Sequence, residues 1–128
     1  MRFEIGTDIE STDRIRRLYD HKPTLLARIF YKSELSYAGK KKRPWETLTG
    51  IWCSKEAVLK AFAPFLELSI DQIEISHHQK GYPIAHIHHK STHQYSYQIS
   101  LSISHADRLA TAVALVSVKD VLIDRVSN

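Results

Sequence analysis

The chain has 128 residues, enough for one hydrophobic core and too few for two independent ones, so it is read as a single domain over 1–128. Its apolar fraction is 43%, yet no run approaches the eighteen consecutive apolar residues of a membrane span. One cysteine, Cys53, excludes a disulfide framework and a multi-cysteine metal site. The net charge of +4 is concentrated early, with eleven of the eighteen Lys and Arg residues in the first 43 positions. Such a surface attracts polyanions of several kinds: nucleic acid, phosphorylated ligands or an acidic protein. Arg2, Glu4, Asp8 and Glu10 break up any apolar leader, and a cytoplasmic location is expected.

In chain order, residues 2–7 predict a short strand, with Phe3 and Ile5 alternating against polar neighbours. Ser11, Thr12 and Asp13 offer N-caps for a helix carrying Ile15, Leu18 and Tyr19. Pro23 suits the first turn of a second helix, and a third is expected from Ser33, followed by a loop of Gly39 and the run Lys40 to Arg43. Pro44 opens the longest helical pattern, over 44–62. Its apolar positions Trp45, Leu48, Trp52, Leu59 and Phe62 form one stripe, and Pro64 ends it.

The period then changes. Ile70, Ile73 and Ile75 predict a strand edge, and Gly81-Tyr82-Pro83 predicts a turn into 84–87. From Tyr95 to Ser104 the alternation is strict, apolar against Ser and Gln. Residues 109–118 are almost wholly apolar, as a strand covered on both faces would be, with 105–108 as the tight turn before them. Helices first and an antiparallel sheet later make the fold class α+β, with the sheet packed against the long central helix.

Three stretches carry side chains suited to chemistry. Asp8 and Glu10, two apart in an extended chain, project to one side and supply the hard oxygens that magnesium prefers. The plainer reading makes them helix-capping acids before Arg14 and Arg16. Glu56 and Lys60 share a helix face at a spacing that serves a surface ion pair equally well. Ser102, Ser104 and His105 could hold a phosphate or a purine, or simply face water.

In combination the stretches are more specific. Gly6-Thr7-Asp8-Ile9 near the start, and Trp52-Cys53-Ser54-Lys55-Glu56-Ala57-Val58-Leu59-Lys60 in the central helix, resemble the 4′-phosphopantetheinyl transferases. Ser102-Ile103-Ser104-His105, the segment 28–35 and the turn at Gly81-Tyr82-Pro83 resemble the short holo-acyl-carrier-protein synthase branch. The resemblance covers nearly the whole chain. It implies transfer of phosphopantetheine from coenzyme A to a serine of an acidic apo carrier protein, in a magnesium-dependent reaction. Asp8 and Glu56 would be metal ligands, with Glu10 a third. Glu56 and Lys60 would be catalytic, Lys55, Lys60, Ser104 and His105 would touch coenzyme A, and Arg14 and Arg28 would meet the carrier protein. Arg16 and Arg17 flank that basic surface. A homotrimer with sites shared between copies is expected on the same resemblance, with no membrane partner.

The chain departs from the branch in two places. Ile51 stands where an arginine is usual, and Phe62-Ala63-Pro64-Phe65 replaces a Gly-Thr-Gly turn. A basic nucleic-acid-binding domain is the alternative, on the cluster from Arg14 to Arg43 with Tyr19, Phe30, Tyr31 and Tyr37 interleaved; no nucleic-acid motif accompanies it. His77, His78, His86, His88, His89 and His93 are read as a polar hairpin tip rather than a transition-metal site.

Overall fold

A computed structural model describes residues 1–120. Strand β1 (Arg2–Ser11) leads directly into helix α1 (Thr12–His21), whose N-cap Ser11 accepts a hydrogen bond from the Asp13 amide through its hydroxyl. Helices α2 (Pro23–Ile29) and α3 (Lys32–Gly39) follow, and α4 (Pro44–Phe62) begins and ends where its two flanking prolines predict. The second half adds β2 (Ile73–His77), β3 (Pro83–Ile87), β4 (Tyr95–Ala106) and β5 (Leu109–Asp120). Ile70 belongs to a single 3-10 turn, Ile70–Gln72, rather than to a strand edge.

The strands form two antiparallel sheets, β1-β5-β4 and the hairpin β2-β3. Helix α4 lies across the larger sheet. Near its start Gly50 meets Ile103 and His105 of β4, in its middle the Cys53 thiol reaches the Ala110 carbonyl of β5, and further on Ala57 and Ala61 meet Gly6 of β1. The core between helix and sheet contains Leu48, Ile51, Ala57, Val58 and Phe62 from α4 with Ala110, Ala112, Ala114 and Val116 from β5. Small alanines on β5 let the helix approach closely. Gly6 is the extreme case: a Cβ there would lie 1.9 Å from the Ala57 carbonyl oxygen, so β1 can seat against α4 only with glycine at this position.

Strand β5 is covered on one face only: Leu109, Val113 and Leu115 are 46%, 41% and 43% exposed, and Phe3, Ile5 and Ile9 of β1 beside them 63%, 67% and 63%. Its apolar composition predicted two covered faces, but among the described residues nothing covers the second. His105 is also not a turn residue. It belongs to β4, opposite Ala110, and the turn is the pair Asp107-Arg108, where Asp107 takes a positive φ of 53°.

Candidate active site

Asp8, Glu56 and Lys60 come together where β1 runs under the second half of α4. Asp8 shares a strand face with Gly6 and Glu10, the face turned toward the helix, and the contact at Gly6 brings that strand to Ala57 and Ala61. The Asp8 backbone is held from the other side by the Thr111 hydroxyl, which donates to its carbonyl at 2.9 Å. From α4, Lys60 donates to the Thr7 carbonyl at 3.0 Å and lies 3.4 Å from Asp8 Oδ1. The Asp8 side chain is 16% exposed and that of Lys60 53%, so the amine closes the outer side of the cluster while staying open to a ligand.

Burial, then the Asp8 charge, pushes the Glu56 carboxyl above the usual carboxylate range, and Glu10 adds to this; Lys60 and Arg14 pull the other way. Asp8 and Glu56 thus present hard oxygens that repel each other, a donor set that a hard divalent cation would relieve. Among the described residues no three His, Cys, Asp or Glu side chains converge closely enough to hold a metal. Water or phosphate oxygens would have to complete the coordination.

Glu10, the expected third ligand, is engaged at the start of α1: one of its oxygens accepts from the Ser11 amide at 2.9 Å and the other from Arg14 at 2.7 Å, each keeping a second lone pair. The capping reading of this acid is the one the structure takes. Arg14 is consequently ion-paired, with its side chain still 57% exposed. Arg16 lies 4.3 Å over the Trp45 ring, and Arg28 borders a separate small cavity with Tyr31, Lys32 and Asp71.

Lys55 is the larger correction. It points away from the cluster into the core, with no exposed side chain, 2.7 Å from Glu34 Oε1 and 3.1 Å from the Ile29 carbonyl. Glu34 is equally buried and accepts from the Tyr31 and Ile75 amides at 2.7 Å each. Burial lowers the Lys55 ammonium below its ordinary value, and the hydrogen bond and charge of Glu34 oppose that shift. A side chain so enclosed has no surface to offer coenzyme A.

Ser104 and His105 occupy opposite faces of β4. Ser104 is exposed on the face away from α4. His105 faces the helix, its Nε2 3.0 Å from the Glu46 carbonyl. It borders a cavity of about 450 Å³ with Tyr37, Gly50, His77, Tyr82 and Ser102. His77 stacks on Tyr37 at 4.0 Å, and its buried Nδ1 has no hydrogen-bond partner among the described residues. His86 bonds Ser76 and His88 bonds Glu74, so these two are ordinary hairpin contacts; the side chain of His93 lies outside the described residues.

The cavity and the acidic cluster stand on opposite sides of α4. Glu10, Ala110 and His105 line up across the sheet, as do Asp8, Ala112 and Ile103. Two strand spacings, roughly 9.5 Å, therefore separate the His105 strand from the Asp8 strand, and the helix covers the ground between. Cys53 lies there, fully buried, its thiol pushed up to about 12 by burial first and then by Asp8. Gly50 of this helix and the buried Glu34 of α3 were not singled out from the sequence; a glycine inside a strong helical pattern was the available sign for Gly50.

A family model described as the 4′-phosphopantetheinyl transferase superfamily matches residues 4–114. The chain belongs to that superfamily. It is 34% identical over 120 residues to the holo-[acyl-carrier-protein] synthase of Caldanaerobacter subterraneus, covering 90% of this chain and 94% of that one. The Helicobacter pylori holo-[acyl-carrier-protein] synthase, solved in complex with coenzyme A, superposes with a TM-score of 0.75 at 30% identity over 88% of this chain and 99% of its own. The Bacillus anthracis enzyme, solved with CoA (3′,5′-ADP), gives 0.69 at 27% identity over 88% and 94%. This chain is of the short holo-acyl-carrier-protein synthase type, and the α+β class expected for it holds.

Proposed function

We propose that this chain is a holo-acyl-carrier-protein synthase acting as one domain. It transfers the 4′-phosphopantetheine of coenzyme A to a serine of an apo acyl carrier protein and releases 3′,5′-ADP. The relatives named above support the reaction, and the observation that carries the site is the meeting of Asp8, Glu56 and Lys60 on the face of α4 that Gly6 allows β1 to reach.

Asp8 and Glu56 would hold magnesium, which supplies charge stabilisation for the pyrophosphate and the departing nucleotide. The Lys60 ammonium, half exposed beside Asp8, is placed to neutralise a phosphate oxygen. Glu56, whose carboxyl burial and the Asp8 charge make more basic than usual, accepts the serine proton when its second oxygen is free. His105 and the cavity it borders suit the nucleotide end of coenzyme A. Ser104 reaches that ligand only from the far face of β4. Arg14 and Arg28 remain exposed enough to meet an acidic carrier protein.

The homotrimer is carried over from the family resemblance, and two features support sites shared between copies. The sheet face of Phe3, Ile5, Ile9, Val113 and Leu115 is an exposed apolar surface of the kind that another copy covers. Asp8 lies on one edge strand and His105 on the other, so a neighbour's β4 edge can complete the site that one chain leaves divided by α4. Incubating the protein with coenzyme A, magnesium and an apo carrier protein tests the reading: the carrier should gain the mass of one phosphopantetheine, and chelation should stop it. Mixing an Asp8→Asn chain with a His105→Ala chain should recover part of the activity. No gain on the carrier sinks the function, and no recovery sinks the shared site.

A further inference from the structure

We propose that Gly50 is a positioning residue that fixes the imidazole of His105 before the nucleotide arrives; this rests on the reading that His105 meets the nucleotide end of coenzyme A. Gly50 sits inside α4, where glycine is less stable than alanine by roughly 0.5–1 kcal/mol. No left-handed backbone excuses it, since the only glycine with positive φ is Gly81 among the described residues. The reason is space. A Cβ at position 50 would stand 3.0 Å from Ile103 Cγ2, 3.1 Å from His105 Cε1 and 3.2 Å from His105 Nε2.

The ring lies flush on the helix in that gap, and one turn earlier the Glu46 carbonyl is 3.0 Å from Nε2. A carbonyl can only accept, so Nε2 carries the hydrogen and Nδ1 is the bare acceptor of the neutral ring. Gly50 and His105 both border the cavity of about 450 Å³. The glycine therefore sets the ring plane and the Glu46 carbonyl sets its tautomer, with the ordering done ahead of binding. A methyl group at position 50 moves the ring by a few tenths of an ångström and loosens that bond.

The test is a cycle of four full-length proteins: wild type, Gly50→Ala, His105→Ala and the double variant, with 3′,5′-ADP and coenzyme A titrated by calorimetry. Gly50→Ala should weaken 3′,5′-ADP about three- to tenfold, the worth of one hydrogen bond, with an unchanged or raised Tm. In the His105→Ala background the same step should change affinity less than twofold. Equal losses in both backgrounds, or none in the first, overturn the proposal, as does a His105→Ala chain that binds 3′,5′-ADP like wild type. Long-range nitrogen–proton NMR of the wild-type ring needs no variant: a neutral His105 protonated on Nδ1 also overturns it. A wild-type chain that modifies no carrier protein but behaves as expected in the cycle would sink the function and leave the seat of the ring supported.

Discussion

Lys55 and Glu56 are consecutive residues of α4, and they have opposite fates. Glu56 stands toward β1 with Asp8 and Lys60, in reach of water, its charge contested by neighbours of both signs. Lys55 is sealed on the other side with Glu34, every contact internal. A helix advances 100° per residue, so adjacent side chains belong to different surroundings. The difference teaches that a charged motif can contain two devices: one holds the helix in place, and the other, in the function proposed, uses that placement for chemistry. The Glu34–Lys55 pair ties α3, α4 and β2 together through the Ile29 carbonyl and the Tyr31 and Ile75 amides.

The sharpest way to break the comparison is on the Glu56 side. Asp8→Asn and Glu56→Gln should each lower turnover by about three powers of ten, equivalent to about 4 kcal/mol of barrier, while the circular dichroism spectrum and Tm stay close to wild type. Steady-state kinetics with a carrier protein reads the first and thermal melts the second. Turnover within a few-fold of wild type would remove these carboxylates from the reaction.

On the other side the loss should appear in stability instead. Lys55→Met leaves the Glu34 carboxylate buried without its cation, and breaking such a pair costs about 3–5 kcal/mol. Denaturant midpoints should fall accordingly, and the double variant Glu34→Gln with Lys55→Met should recover most of the difference. Turnover per folded molecule should change little. If Lys55→Met melted like wild type but bound coenzyme A poorly, the lysine would have to be returned to the ligand.

What the sequence made legible were features with strong local periods. The limits of α4 follow from Pro44 and Pro64, and the alternation at 95–104 predicts β4 and its two faces. Asp8, Glu56 and Lys60 were legible by resemblance, and Gly6 explains why they meet. The misread features depend on partners distant in the chain or on local competition. Nothing in the spacing of Glu34 and Lys55, twenty-one positions apart, says that they meet in the core. The spacing of Glu10 from Asp8 does not reveal that its two oxygens also meet the Ser11 amide and Arg14. An apolar strand reads the same whether its second face is covered by its own chain or by another copy, which is why 109–118 predicted more burial than the described residues provide. Those surroundings are tertiary, and the local pattern does not encode them.

The smallest expected effect sharpens the same comparison from the ground between the two sides. Cys53 lies under α4 against the Ala110 carbonyl, close enough to Asp8 for that carboxylate to raise its thiol further after burial has done most of it. Burial, with Asp8 behind it, pushes the folded thiol up to about 12 from an ordinary 9.0. Between those values the unfolded chain has lost a proton that the folded chain keeps, so this residue's contribution makes stability fall as pH rises. The slope begins near pH 9.0 and is at most about 1.4 kcal/mol per pH unit. Below pH 8 it vanishes, and the thiol should resist iodoacetamide in the native protein, since the thiolate is the reactive species and this one is both buried and suppressed. Comparing urea midpoints of wild type and Cys53→Ala at pH 7.5 and 9.5 isolates the effect: the alkaline loss should be smaller in the variant by under about 1 kcal/mol. Asp8→Asn removes one cause of the shift, so native labelling at pH 9.5 should quicken in that variant. Equal labelling rates in the two proteins would separate Cys53 from the acidic cluster and return it to plain core packing.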